Sequence, residues 1–292
     1  MTITRRSFTT AVGAGLSVFL LGAAGRRSHF KVSWLGGPSF VLEFGSLRLI
    51  GDPVLGTYFT MGDPNEPRDY QTIRHHTRRD ELPENDCPAV DAILLSHAHE
   101  DHFDAAAAMC FAPNTPLVLP LADEPKLSAM GFDTLIPLAW EQRRRFAASD
   151  YLIDVTAVRA DHSRVETTAR VLGTGNGYWL DLTYGSWKRS IYWTGDTMPT
   201  PAVIDAVKAH GAPFLLIAHA GKVGDSGPFG RISMGGQDLA ELVRTLQPTH
   251  VLPIHHSTFD FYREAASDIG ASLRRSGAVV DVARHPFATT YD

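Results

Sequence analysis

Short apolar runs separated by glycine-containing turns open the chain beyond residue 29. They predict strands at 30–35, 39–44 and 47–51. The run at 92–95 is short and continuously apolar, which is typical of a buried strand. Residues 103–110 contain four consecutive alanines, which favour a helix. The first half of the chain is therefore predicted to form strand hairpins before the first helix.

The second half of the chain alternates strand-like and helix-like runs. Thr200 is a candidate helix cap, because it precedes a proline at the first helical position. The predicted strands are 151–159, 178–183, 190–194, 214–218 and 250–254, and the predicted helices are 201–210, 237–246 and 260–275. No linker or repeat divides residues 26–292. The pattern predicts one α+β domain in which sheets pack together and helices lie outside.

Composition and charge narrow the class of protein. The 292 residues are 44% hydrophobic and 20% charged, which is ordinary for a globular chain with a sizeable core. The formal net charge is −5, and no basic run or stripe is present. We therefore expect no nucleic-acid partner, because phosphate backbones are bound by clustered lysine and arginine.

Residues 1–25 have the composition of an export signal. Arg5 and Arg6 precede an apolar stretch at 11–24, which ends in small residues. The Thr-Arg-Arg-x-Phe arrangement resembles a bacterial twin-arginine signal. The stretch is shorter than the ~20 residues that cross a bilayer. We expect cleavage and a periplasmic or exported protein without stable membrane insertion; the alternative is a retained membrane anchor.

The chain has two cysteines, Cys87 and Cys110, and they do not form a C-x-x-C pair. A cysteine-based metal site is therefore not expected. In an exported protein the two residues can form one disulfide. The alternative is two separate thiols, one of them packed on an apolar helix face.

The densest group of candidate ligands follows the predicted strand 92–95. His97, His99, Asp101 and His102 fall within six positions. In an extended segment, residues two apart point to the same side, so His97 and His99 can converge. Asp101 and His102 would lie at the start of the next helix and face a neighbouring point. Imidazole nitrogens and a carboxylate suit zinc and other first-row cations, so the segment predicts a metal site.

This His-x-His-x-Asp-His motif resembles the signature of the metallo-β-lactamase superfamily. Further motifs extend the resemblance through almost all of the chain beyond the signal. They are Trp34-Leu35-Gly36, Ser39-Phe40, Gly51-Asp52-Pro53, Asp161-His162-Ser163, residues 191–197 and residues 253–259. The opening motifs look like the branch that holds L-ascorbate-6-phosphate lactonase and N-acyl-phosphatidylethanolamine phospholipase D. Many relatives in that branch have Gly-His where this chain has Gly36-Gly37.

The resemblance implies a four-layer αββα sandwich with seven metal ligands. It places His97, His99 and His162 on a first metal, Asp101, His102 and His255 on a second, and Asp196 on both. The residues alone leave His255 and His256 as alternatives, and the motif alignment selects His255. The implied cofactor is a pair of divalent cations, with zinc first and manganese or iron as alternatives.

The resemblance also implies chemistry. We expect a metal-dependent hydrolase whose two-metal-bridged hydroxide attacks an ester-type bond, phosphodiester or lactone, of a small-molecule or lipid-like substrate. Asp101 would orient the hydroxide or take its proton while bound to the second metal. His219 or His256 would protonate the leaving group or hold the substrate; the alternative for both histidines is a hydrogen-bonded loop histidine. Asp52 and Asp104 are expected to accept hydrogen bonds from ligand imidazoles, the alternative being turn or helix-start carboxylates.

Two other functions compete with hydrolysis. One is an iron-dependent oxidoreductase on the same fold, and the other is a non-catalytic metal-binding protein. Bound iron without hydrolysis would favour the first. The glycine-rich segment 221–230 is expected to line the mouth of the site, with a surface loop as the alternative. No motif indicates a partner protein or an oligomeric state.

Overall fold

The computed structural model describes residues 28–66, 72–81, 87–224, 227–274, 279–281 and 287–292. The predicted signal peptide, residues 1–25, lies outside these ranges, so its prediction is not tested. Within them, no helix is both long and apolar enough to cross a bilayer.

Sixteen strands and six α-helices make up the described part of the chain. The strands are β1 (Phe30–Gly36), β2 (Ser39–Phe44), β3 (Leu47–Gly51), β4 (Tyr58–Gly62), β5 (Ile73–Thr77), β6 (Ala92–Leu94), β7 (Leu117–Pro120), β8 (Leu135–Leu138), β9 (Arg143–Ala148), β10 (Tyr151–Arg159), β11 (Asn176–Tyr184), β12 (Trp187–Trp193), β13 (Leu215–His219), β14 (His250–Ile254), β15 (Val279–Val280) and β16 (Phe287–Tyr291). The helices are α1 (Ala105–Cys110), α2 (Glu124–Ala129), α3 (Glu166–Leu172), α4 (Pro201–Lys208), α5 (Gly236–Leu246) and α6 (Ala266–Leu273), and a 3₁₀ turn spans Leu121–Asp123.

The strands form two seven-stranded sheets and one separate hairpin. The first sheet has the order β16-β1-β2-β3-β6-β7-β8, and the second has the order β15-β14-β13-β12-β11-β10-β9. In each sheet, antiparallel pairs adjoin parallel strands. The β4–β5 hairpin stands apart from both sheets. Parallel neighbours bring the carboxyl ends of β3 and β6, and of β12, β13 and β14, to a common edge.

Three apolar layers hold this architecture together. The core between the two sheets includes Phe30, Trp34, Tyr178 and Trp193, all of which are fully buried or nearly so. Outside the first sheet, a second apolar layer contains residues of α1 and α2. Outside the second sheet, a third layer contains residues of α4, α5 and α6. The predicted four-layer αββα sandwich is therefore confirmed.

Many of the predicted elements agree with the structure, whereas the helix predicted over 103–110 begins at Ala105 and the last helix differs more. Strands 39–44, 47–51, 151–159 and 250–254 have the expected bounds, and Thr200 accepts a hydrogen bond from Val203 N as a helix cap. The helix predicted over 260–275 begins only at Ala266. That prediction was wrong because Phe261 and Tyr262 are buried in an apolar cluster and contact His255.

The two cysteines form a disulfide, which joins the segment before β6 to the end of α1. The Cα atoms of Cys87 and Cys110 are 5.5 Å apart, within the usual range for a disulfide. Neither residue is a free thiol, so the structure agrees with the disulfide alternative.

Removing the disulfide is expected to lower the free energy of unfolding by about 2–4 kcal/mol, because the bond restricts the unfolded chain. The bond closes a loop between residues 23 apart. Urea unfolding of a Cys87→Ala/Cys110→Ala double variant checks this against the oxidised parent. Metal content is the control and should not change, because neither cysteine belongs to the histidine clusters. Equal unfolding midpoints would contradict the expectation.

Candidate metal centre

The candidate ligands lie on the segments that follow five strands, at one edge of the sandwich. The segment after β6, in the first sheet, carries the four ligands of the His-x-His-x-Asp-His motif. In the second sheet, His162 follows β10, Asp196 follows β12, His219 ends β13 and His255 follows β14. The position of the motif directly after the predicted strand 92–95 is as expected. The two sheets bring them together where their strands terminate.

His97, His99 and His162 form the first ligand cluster. Their ligand atoms lie within 4.8 Å of one another. The rings of His97 and His99 are 4.4 Å apart, and those of His97 and His162 are 4.5 Å apart. Burial, followed by repulsion from His102 and neighbouring histidines, lowers the pKa of His97 well below 6.5. The histidine is therefore neutral near pH 7, as a metal-binding imidazole must be.

His102, Asp196, His219 and His255 form the second cluster, again within 4.8 Å. Asp196 Oδ2 lies 3.5 Å from His102 Nε2, and its Oδ1 lies 3.5 Å from His255 Nδ1. Asp101 Oδ2 adjoins this cluster, 3.6 Å from both His102 Nε2 and His255 Nε2. The two clusters are in contact, since the rings of His97 and His102 are 3.9 Å apart.

The buried nitrogens of these histidines fit a pair of cations. His97, His102 and His162 each use Nδ1 in a hydrogen bond and bury an Nε2 that has no hydrogen-bond partner. Both ring nitrogens of His255 are also buried without a partner. Leaving polar atoms in this state is costly, and buried polar groups in native proteins are almost always satisfied. Imidazole nitrogens beside carboxylates are a suitable donor set for zinc or a similar cation.

Asp52 orients ligands of both clusters. It is fully buried directly after β3, and it accepts hydrogen bonds from His102 Nδ1 at 2.7 Å and Ser96 N at 2.7 Å. Ser96 Oγ donates to Asp52 Oδ2 and accepts from His97 Nδ1 at 3.0 Å. Burial raises the pKa of Asp52, although the charge of His102 opposes this effect. The expectation that Asp52 accepts from a ligand imidazole is confirmed.

Asp104 does not have the role expected for it. Its carboxylate accepts from Ala107 N at 2.8 Å as the cap of α1, and from Gly56 N at 2.6 Å and Leu55 N at 3.2 Å. It contacts backbone amides and no ligand imidazole among its recorded hydrogen bonds. The prediction was wrong because the first residues of α1 leave amide groups that a carboxylate satisfies.

His219 holds Asp196 rather than facing the substrate. Trp193 Nε1–H donates to His219 Nε2 at 2.9 Å, which fixes that nitrogen as an acceptor. His219 Nδ1 must then carry the proton, and it donates to Asp196 Oδ1 at 2.9 Å. Burial lowers the pKa of His219 to about 3. With both nitrogens occupied, the side chain orients a carboxylate and has no lone pair left for a cation.

His256 lies outside both clusters. Its ring contacts Trp34 at 4.9 Å, and its nitrogens hydrogen bond to Ser257 Oγ and Pro253 O. His255, by contrast, is part of the second cluster, which agrees with the motif alignment. These contacts leave His256 no ring nitrogen free to reach a leaving group, so we do not carry it into the reaction below.

Gly195 allows the turn that delivers Asp196. Its φ is +55°, and a Cβ at this position would lie 2.7 Å from Ser96 Cβ and 2.8 Å from Asn176 O. A side chain would therefore be strained and would collide with the segment that carries His97. Glycine is therefore needed directly before this aspartate.

A cavity of about 190 Å³ opens beside the ligands. His99, Asp101, His162 and Asp196 form one side of it. Val223 and Phe229 line it as well, so the expected contribution of segment 221–230 is confirmed. Met61, Leu172 and Ile232 also line it and were not predicted, because they lie on three separate segments without a metal-ligand motif. The remaining lining residues are Gly62, Pro64 and Glu100.

The metal-free protein is expected to lose stability as the pH falls from 6.5 towards 4. Burial lowers the pKa of His99 and of His256 from 6.5 to about 4. Below pH 6.5 these histidines then bind more protons in the unfolded chain than in the native state. Each of them therefore lowers the free energy of unfolding by at most about 1.4 kcal/mol per pH unit. Raised pKa values of buried aspartates such as Asp52 oppose part of this trend. Urea unfolding of chelator-treated protein at pH 7, 6 and 5 is the measurement, and a flat profile would contradict it.

Comparison with known proteins identifies the family. A family model described as the beta-lactamase superfamily domain matches residues 48–256. The match covers most of the chain and runs from β3 through His255, so it includes every candidate ligand. The chain belongs to the metallo-β-lactamase superfamily, as the resemblance implied.

Individual relatives are distant. An uncharacterized protein of Mycobacterium tuberculosis is 29% identical over 196 residues, 66% of this chain and 48% of that protein, so the chain spans about half the length of this relative. A UPF0173 metal-dependent hydrolase of Myxococcus xanthus is 25% identical over 280 residues, 92% of this chain and 85% of that protein. The hydrolase name agrees with the predicted enzyme class.

The fold also matches a solved structure. The crystal structure of a possible metal-dependent hydrolase from Veillonella parvula superposes with a TM-score of 0.74 at 17% identity, and the match covers 90% of this chain and 99% of that one. At this identity the similarity shows the fold alone. The finer resemblance to the lactonase and phospholipase branch stays a prediction.

Proposed function

We propose that the protein is a metal-dependent hydrolase that holds two divalent cations and cleaves an ester-type bond. The observation that carries the proposal is the clustering of buried imidazole nitrogens without hydrogen-bond partners around two carboxylates, which line one cavity. Such a site is costly for a fold to bury unless cations occupy it. The presence of all the candidate ligand residues also disfavours the alternative of a non-catalytic protein with this fold.

The proposed ligands follow the two clusters. His97, His99 and His162 would hold one cation, and Asp101, His102 and His255 would hold the other, with Asp196 between them. We assign Asp101 rather than His219 to the second cation, because both ring nitrogens of His219 are already hydrogen bonded. Zinc suits these donors best, and manganese and iron are the alternatives.

When bound, two such cations supply an activated water and polarise the carbonyl or phosphoryl oxygen of the substrate. Asp101 lines the cavity and can accept a hydrogen bond from the attacking water. Burial alone would raise the pKa of Asp101, but the charges of His102 and His255 hold it well below its usual range. The group is therefore a carboxylate at neutral pH. His219 keeps Asp196 oriented throughout.

The substrate bond is proposed to be a phosphodiester or a lactone, following the resemblance of the opening motifs. A direct test measures bound metal by elemental analysis on folded protein, with hydrolysis of bis(p-nitrophenyl) phosphate and γ-octalactone beside it. About two zinc or manganese ions per chain together with turnover support the proposal. Iron without hydrolysis supports the oxidoreductase alternative and contradicts this one. Folded protein with no metal contradicts both.

We also propose that the chain is exported. Disulfides persist in oxidising compartments and are rare in the cytoplasm, so the Cys87–Cys110 bond supports this localisation. Cell fractionation of the parent and an Arg5→Lys/Arg6→Lys variant is the test. Loss of the periplasmic fraction in the variant supports twin-arginine export, and cytoplasmic protein in both contradicts it.

A further inference from the structure

The cavity beside the metal ligands has two chemically different sides. One side is formed by the ligand residues. The other is formed by Met61 on β4, Leu172 at the end of α3, and Val223, Phe229 and Ile232 on the segment before α5. These apolar side chains belong to or pack against one hydrophobic cluster. A substrate that places its reacting bond over the ligands must therefore place another part against an apolar surface.

Positive charge is absent from this lining. Among the described residues that line the cavity, none is lysine or arginine. Two neighbouring cationic side chains are paired with carboxylates: Arg231 Nη1 with Asp238 at 2.7 Å, and Lys126 Nζ with the lining residue Glu100 at 3.0 Å. Phosphate groups are usually recognised by arginine or lysine through charge-assisted hydrogen bonds. The described residues of the lining thus offer an anionic substrate no such partner.

The size of the cavity limits the substrate as well. Its volume of about 190 Å³ is below the range of pockets that enclose drug-sized ligands, roughly 300–1,000 Å³. The occupant must be a small molecule, or one small end of a larger molecule. We propose that the substrate is a neutral lactone or carboxylic ester carrying a short apolar substituent, which lies on the Met61–Leu172–Phe229 side while the ester carbonyl faces the ligands. The inference rests on the proposed hydrolase function and narrows its substrate class.

A chain-length series tests the apolar contact. For γ-butyrolactone, γ-hexalactone and γ-octalactone, KM should fall about fourfold for each methylene that becomes buried, with little change in kcat. The phosphodiester bis(p-nitrophenyl) phosphate should show a lower kcat/KM than γ-octalactone. A KM that does not depend on chain length, or a higher kcat/KM for the phosphodiester, overturns the substrate inference and leaves the hydrolase proposal intact.

Two neighbouring residues provide matched variants. Leu172→Ser removes an apolar side chain from the cavity and should raise KM for γ-octalactone about four- to tenfold, while KM for γ-butyrolactone stays unchanged. Val171→Ser makes the same kind of change one position away, on a side chain that is 72% exposed and does not line the cavity. It should change neither KM. Equal effects of the two substitutions overturn the inference.

A binding measurement separates this inference from the hydrolase proposal. The uncharged ketone 2-butylcyclopentanone has a ring and an apolar chain but no bond to hydrolyse. Ligand-observed NMR should detect its binding to the parent and to Val171→Ser, with much weaker binding to Leu172→Ser and Met61→Ser. If the ketone bound in this pattern but neither the lactones nor the phosphodiester were hydrolysed, only the hydrolase proposal would be overturned. Equal binding to all four proteins would overturn the apolar-substrate inference alone.

Discussion

Asp196→Asn is expected to remove most of the activity and at least one of the two bound cations. Asp196 contacts His102, His219 and His255 through its two oxygens, at 2.9–3.5 Å. Asparagine keeps the shape but removes the charge that balances the cations. Substitution of a residue that only hydrogen bonds to a metal ligand lowers metal affinity or activity about 10–100-fold. Substitution of Asp196, a proposed ligand itself, should therefore lower kcat/KM at least about 100-fold. Elemental analysis and lactone hydrolysis measure both effects.

Asp154→Asn is the matched control for that substitution. Asp154 is an aspartate on β10 that belongs to neither ligand cluster, and it forms a partly exposed ion pair with Arg145 at 2.8 Å. Such pairs contribute about 0–1 kcal/mol, so the control should keep full metal content and activity. If Asp196→Asn retained two cations and parental turnover, the proposed role of the bridging carboxylate would be wrong.

Asp52→Asn is expected to affect both stability and metal binding. The carboxylate accepts from His102 Nδ1 and from two groups of Ser96, all buried. An amide can accept at only one of its two ends, so either the imidazole or the serine hydroxyl loses its partner. Breaking a buried charged contact of this kind costs about 3–5 kcal/mol. Misorientation of His102, and of His97 through Ser96, should weaken metal binding about 10–100-fold.

Asp104→Asn is the control that distinguishes a loss of stability from a loss of metal affinity. Asp104 is another buried carboxylate, but it accepts only from backbone amides. Its substitution should leave Gly56 N without a partner and lower the free energy of unfolding by about 1–3 kcal/mol. Metal affinity, measured by competition with a chromogenic chelator, should not change. Equal losses of affinity in both variants would show that general destabilisation, rather than ligand orientation, explains the effect of Asp52→Asn.

Most of the residues that the structure brings together could be predicted from the sequence, because they occupy a few short segments whose motifs resemble those of the superfamily. Four of them lie within residues 97–102, and His255 directly follows a strand with a clear apolar pattern. The hydrogen bond from His102 to Asp52 was also expected, and the structure explains it: Asp52 follows β3, which is parallel to β6 in the sheet. Asp104 has the same chemistry, but local capping of α1 determines its contacts.

Other parts of the fold could not be predicted because their patterns are polar. Strand β9 begins with three exposed arginines at the edge of the second sheet, where no apolar alternation is required. The β4–β5 hairpin is similar, since β5 contains Arg74, His75 and His76. The apolar side of the cavity was missed for another reason: Met61, Leu172 and Ile232 are distant in sequence, and only the tertiary fold brings them together.

The distribution of ligands between the two sheets has a thermodynamic consequence. In the first cluster, His97 and His99 follow a strand of the first sheet, whereas His162 follows a strand of the second. In the second cluster, His102 comes from the first sheet, and Asp196 and His255 come from the second. Bound cations would therefore act as a removable cross-link between the two halves of the sandwich. A ligand that binds only the native state stabilises it by mass action. A free metal concentration one hundred times its Kd therefore raises the free energy of unfolding by about 2.7 kcal/mol. The melting temperature of this protein should consequently report the metal concentration around it.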